Sequence, residues 1–99
     1  MRSLDDVPFE DWEFEWDEAK RQANIRKHGI DFVRAIIALE GPRLETQSDQ
    51  NGEARTLAIC PDTQRLIAVV YTMRDARCRI ISARAARDNE RREYRQIYP

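Results

Sequence analysis

The chain contains a single histidine, His28, and it directly follows Lys27. Histidine is the one side chain whose ordinary pKa lies near neutrality, so His28 could carry a proton to or from a reacting oxygen. Lys27 beside it could hold an anion. Half a chain away, Arg79 and Arg84 flank the apolar word Ile80-Ile81-Ser82-Ala83. Their planar guanidinium groups match the oxygens of a phosphate better than lysine does. Further on, Arg87, Glu90, Arg91 and Tyr94 recur at i, i+3, i+4 and i+7, one stripe of a helix. Glu90 could accept a proton there, and Tyr94 could stack on a base or donate a hydrogen bond. Arg65 and Arg74 bracket an apolar run and would extend the basic surface. These are the groups that cleavage of a phosphodiester needs: cations for charge on the phosphorus oxygens, a base for the attacking hydroxyl, an acid for the leaving oxygen. With one histidine, a two-histidine mechanism is excluded. No histidine–carboxylate cluster has metal-ligand spacing, so neither a metal nor another cofactor is expected.

Each of these residues also has a plainer reading. Lys27 and His28 would cap the last carbonyls of a helix. The arginines would solvate an exposed edge, and Glu90 and Tyr94 would make intrahelical pairs and pack. Trp16 reads as a core residue.

Charge is distributed unevenly. Residues 1–18 hold eight carboxylates against Arg2 alone, whereas residues 74–95 hold eight arginines, no lysine and four carboxylates. A phosphate-binding surface is thus compatible with a net charge of −1. Ninety-nine residues allow one core. No apolar run is long enough to span a bilayer, and the N-terminus has no basic flank followed by an apolar stretch. Cys60 and Cys78 are too few for a zinc site or a disulfide framework, and both lie in apolar runs where a reduced, buried thiol is expected. A cytoplasmic protein without membrane contact is the expectation.

The elements that must position these groups can be read from pattern. Residues 1–12 form an acidic, loosely ordered extension, and residues 13–99 the single domain. Glu13 to Trp16 alternates as a short strand. Asp17 caps a helix running to His28, and Gly29 ends it in the left-handed conformation. Asp31 caps a second helix with Phe32, Ala35, Ile36 and Leu39 on its apolar side, and Gly41-Pro42 stops it. Leu44 to Gln47 is a weak strand before a turn over Ser48-Asp49-Gln50-Asn51-Gly52, in which Asn-Gly is the strong signal. Strands at 54–60, 66–73 and 77–83 follow, then a helix from about Ala86 to Gln96. Strand 66–73 is apolar on both faces and should be central. Simple alternation sets Cys78, Ile80 and Ser82 on one side of the last strand, and Arg79, Ile81 and Ala83 on the other. The expected fold class is α+β: a small antiparallel sheet, two N-terminal helices on one face, and the C-terminal helix nearer the other.

Two words carry a family resemblance. One is Phe14-Glu15-Trp16-Asp17-Glu18-Ala19-Lys20, continuing through Asn24 to Lys27-His28-Gly29-Ile30. The other is Arg79-Ile80-Ile81-Ser82-Ala83-Arg84, leading into the arginine-rich stretch that ends at Tyr94. Over residues 13–95 the chain resembles the BrnT family of toxins from type II toxin–antitoxin systems, which have a RelE-like ribonuclease fold. The resemblance implies a metal-independent endoribonuclease that inhibits translation and is neutralised by a BrnA-like ribbon–helix–helix antitoxin. It also implies that operator DNA is bound only through the antitoxin complex. The alternative is a catalytically inactive toxin-like module that pairs with the antitoxin and modulates DNA binding. Similar sequences often carry a threonine ahead of the last helix; Arg87 stands there, so the capping interaction should be lost or shifted. Finally, the acidic extension, with Phe9 and Trp12 among its carboxylates, has the composition of an RNA mimic. It would fold over the arginine face and lower basal activity.

Overall fold

Two aspartates start the N-terminal helices. A computed structural model describes residues 7–63 and 65–99. In it, the Asp17 carboxylate accepts from the backbone N–H groups of Ala19 and Lys20 and opens α1 (Glu18–His28). Asp31 accepts from Val33 N–H and opens α2 (Phe32–Leu39). Between them Gly29, at φ +70°, donates to Ile25 O and ends α1. That backbone conformation penalises any residue with a Cβ, so this glycine sets the sharp change of direction between the helices.

Five strands follow the sequence pattern closely: β1 (Glu13–Trp16), β2 (Leu44–Gln50), β3 (Glu53–Pro61), β4 (Leu66–Arg74) and β5 (Arg77–Ala85). The β2–β3 hairpin turns at Asn51-Gly52, both at positive φ, so β2 is three residues longer than expected. Strand order is β1-β5-β4-β3-β2, with β4 central as its two apolar faces require. The expected antiparallel sheet is in fact mixed. β1 runs parallel to β5, with Glu13 opposite Arg77 and Trp16 opposite Ile80. Alternation within four residues carries no information about partner or direction. Those are decided by where the long chain between residues 16 and 77 returns.

The main core lies between α2 and one sheet face. It unites Phe32, Ala35 and Leu39 with Cys60, Val69 and Ile80, all essentially inaccessible. Cys60 and Cys78 are free thiols within it, pushed up to about 12 by burial. Trp16 is half-buried and packs edge-on against Phe32, with ring centroids 6.3 Å apart.

The N-terminal segment joins this same core. Phe9 and Trp12 pack against Phe14, and Trp12 against Tyr71 at 5.9 Å. The Arg43 guanidinium lies over both the Phe9 and Trp12 rings, at 5.4 and 5.0 Å. Residues 7–12 are therefore tied to the sheet, where a loose extension was expected. Tyr71 belongs to the helix-covered face, so these residues do not reach across the arginines, which lie on the other face. The extension expected to act as an RNA mimic also includes residues 1–6, which lie outside the described residues.

The opposite face is only partly covered. α3 (Asp88–Ile97) crosses one end of it, burying Tyr94 and Ala86 against Ile59 with Leu44, Leu57 and Leu66 alongside.

Candidate functional site

A bulge in β5 creates the site. Pairing with β4 runs from Arg77 opposite Arg74, through Arg79 opposite Thr72, to Ile80 opposite Tyr71, and then resumes with Ser82 opposite Val70 and Arg84 opposite Ala68. Ile81 is the extra residue. One inserted residue reverses the side on which all later side chains emerge. Strict alternation would place Arg79 and Arg84 on opposite faces. The bulge brings Arg77, Arg79, Ser82 and Arg84 to the face that α3 leaves open, and sends Ala83 into the core. Val70 and Thr72, half-buried, form the floor between them.

Arg84 is held firmly. Its two terminal nitrogens donate to the two carboxylate oxygens of Glu90 at 2.8 and 2.9 Å, and Nη1 also donates to Ala85 O at 3.2 Å. This leaves Nε–H and one Nη2–H on a side chain that is 19% exposed. The fork geometry orders the guanidinium and keeps donors available to a phosphate oxygen. Glu90 in turn accepts from the N–H of Arg87 at 2.8 Å. Arg87 has no acceptor to offer in return, so half of a capping box forms and the rest is lost, as its place ahead of the helix implies. The Arg84 hydrogen bonds hold Glu90 below the ordinary carboxylate range, outweighing its burial, with the Arg87 N–H assisting. An ionised, saturated carboxylate is a weak base, so Glu90 is a positioning residue for Arg84.

That pair has a pH consequence. A carboxylate depressed by folding contributes stability that is complete above its unfolded value, near 4.5, and is lost as the pH falls through the lower folded value. Urea unfolding of the wild type from about pH 6 to about pH 3 should show stability falling below about pH 4.5. Glu90→Gln should begin lower and fall less steeply in that window. Parallel curves for the two proteins would rule the coupling out.

The remaining candidates separate. Tyr94 is buried, its hydroxyl donates to Pro42 O at 2.9 Å, and its ring contacts Tyr98. It anchors α3 to the start of β2 and has no free face for a base. Arg91 bonds Ala86 O at 2.7 Å and pairs with Asp88, whereas Arg87 is exposed beside the site. Arg74 lies opposite Arg77 at the open-face end of the β4–β5 hairpin. Arg65 sits at the other end of β4, about 30 Å away along the strand, next to Arg34, Asp62 and Thr63. One basic surface does not include both.

The helix that carries Lys27 and His28 is docked on β5 by a residue that sequence reasoning gave no role. Asn24 is buried, donates to Ile30 O at 2.8 Å and Ala83 O at 2.9 Å, and accepts from Ala83 N–H at 3.1 Å. β1 stops pairing at Ile80, and the Asn24 amide replaces the missing strand at Ala83. It docks α1 one residue before Arg84. Lys27 and His28 lie three and four positions on, hence one helical turn beyond this contact on the same side of α1. Lys27 is exposed and His28 partly so. A buried amide inside an otherwise polar helix has no periodic signal that could have marked it.

Among the described residues, no three or more histidine, cysteine or carboxylate side chains gather in a metal-binding arrangement, and no helix is long and apolar enough to cross a membrane. The model of a family described as the ribonuclease toxin, BrnT, of type II toxin–antitoxin systems matches residues 16–90. The chain belongs to this family. The match covers the first word from Trp16 onward and the whole of Arg79 to Arg84, and its limits fall inside the 13–95 range expected from them. It includes Asn24, the β5 bulge and both members of the Arg84–Glu90 pair. No curated protein matches the chain.

Proposed function

We propose that the chain is a metal-independent endoribonuclease that acts in the cytoplasm and arrests translation. Membership of a ribonuclease toxin family supports this reading, but the observation that carries it is the β5 bulge. By turning Arg79 and Arg84 to one open face, it provides a cationic surface with an ordered guanidinium at its centre. In the proposed reaction the 2′-hydroxyl of a ribose gives up its proton to water as its oxygen attacks the adjacent phosphorus, and the bond from phosphorus to the 5′-oxygen breaks. Arg84, held by Glu90, stabilises charge on the non-bridging oxygens, and Arg79 binds the phosphate backbone beside it. His28 or Lys27 delivers the proton to the leaving 5′-oxygen. The products are a 2′,3′-cyclic phosphate and a free 5′-hydroxyl. The antitoxin that completes the pair is proposed to be a BrnA-like ribbon–helix–helix protein, with operator DNA bound only through the complex.

The purified chain, free of antitoxin and incubated with a single-stranded oligoribonucleotide in excess EDTA, should yield fragments ending in cyclic phosphate. Cleavage that requires an added divalent ion would refute metal independence. Intact RNA from a folded chain that still binds its antitoxin would assign it as the inactive binding module.

A further inference from the structure

The open face carries a second pair of arginines, and a second strand supplies their counter-charges. β1 lies parallel to β5, with its start fixed by a hydrogen bond from Glu13 N–H to Ala76 O at 2.8 Å. This pairing sets Glu13 opposite Arg77 and Glu15 opposite Arg79. Glu15 bridges the two arginines, at 3.4 Å from Arg77 Nε and 3.6 Å from Arg79 Nη1, and Glu13 stands 3.9 Å from Arg77 Nη2. The contacts are long and solvated: the side chains of Arg77 and Arg79 are 62% and 53% exposed. Such pairs are weak and readily exchanged. They contrast with Arg84–Glu90, which is short, bidentate and mostly buried.

We propose that β1 and β5 form a subsite for the RNA backbone flanking the scissile phosphate, in which Glu13 and Glu15 hold Arg77 and Arg79 until phosphates replace them. The inference rests on the ribonuclease reading and names the substrate it favours. Two residues along β5 separate Arg77 from Arg79 by about 7 Å, the scale of one phosphate step in an extended single strand. Both project from the same face as Arg84, further along the same strand. An A-form duplex presents its phosphates on a curved surface, which a row along one strand cannot follow. The ligand class is therefore single-stranded RNA. The carboxylates keep an arginine row from gripping every polyanion it meets, and they lower affinity without touching the reacting atoms.

The test is binding of a fluorescent, 2′-O-methylated single-stranded oligoribonucleotide, which cannot be cleaved, across a salt series. Arg77→Ala/Arg79→Ala should weaken binding and flatten the dependence of log affinity on log salt by about 1.4, two contacts at about 0.7 each. Glu15→Gln should bind about two- to fivefold more tightly than wild type, and the gain should shrink at high salt. The substituted side chains are solvated, and far-ultraviolet circular dichroism would verify that each variant is folded. Wild-type affinity and slope in the double arginine variant, with binding lost in Arg84→Ala, would overturn the subsite and leave the ribonuclease reading intact. A wild-type chain that binds no RNA would overturn both. Equal preference for a duplex would overturn the single-strand assignment.

Discussion

Replacing Arg84 with alanine should reduce RNA cleavage by about 10²–10³-fold, the usual consequence of removing one preorganised donor from a developing oxyanion. Growth should recover in the same proportion when the variant is expressed without antitoxin at equal soluble level. Arg84 has two functions, so the substitution needs partners. Its loss leaves the Glu90 carboxylate, only 10% exposed, with Arg87 N–H as its hydrogen-bond donor. The expected stability cost is about 2 kcal/mol, below that of a fully buried pair because Arg84 retains some contact with water. Arg84→Lys keeps the charge but forfeits the fork, and should lose most of the activity with a smaller stability loss. Glu90→Gln leaves a guanidinium in place but loosens it, so kcat should drop while RNA affinity changes little. Full activity in folded Arg84→Ala would place the chemistry elsewhere on the chain.

Asn24→Ala should be the most damaging single substitution for the fold, lowering unfolding free energy by about 3 kcal/mol. For a chain of this length that is roughly 15 °C in Tm. Truncation strands three buried backbone groups together: the N–H and C=O of Ala83 and the C=O of Ile30. It also releases α1 from β5, so on the proposed mechanism, which draws on Lys27 or His28, cleavage should suffer even where the chain is folded. Asn24→Asp is the discriminating companion. Its carboxylate can accept from Ala83 N–H, but when ionised it faces two carbonyl oxygens. Its pKa in the folded state is therefore raised, and the variant should lose stability as the pH climbs above about 4, opposite in sign to the acid lability expected from Glu90. A loss below about 1 kcal/mol for Asn24→Ala would show that water satisfies those groups instead.

Local chemistry determined much of this protein. Asp17, Gly29 and Asp31 delimit the two helices because capping and left-handed backbone geometry are properties of single residues. The two-faced apolar content of 66–73 identified the central strand because burial on both sides leaves no other composition. The two sequence words that resemble BrnT toxins were legible for the same reason, and the family match covers the first from Trp16 onward and all of Arg79 to Arg84. Charge asymmetry located the cationic region as well, since eight arginines against four carboxylates are visible without a fold. What pattern could not reveal depended on contacts between distant segments. The parallel placement of β1, which brings Glu15 to Arg77 and Arg79, depends on how the chain between residues 16 and 77 closes. The docking of Phe9 and Trp12 on the helix-covered face depends on a pocket built by Tyr71 and Arg43. The side from which Arg84 projects depends on Ile81, one unpaired residue in β5. A period of two predicts faces only while each residue has a partner across the ladder. The tertiary structure decided where that pairing slips, and so which arginines share a surface.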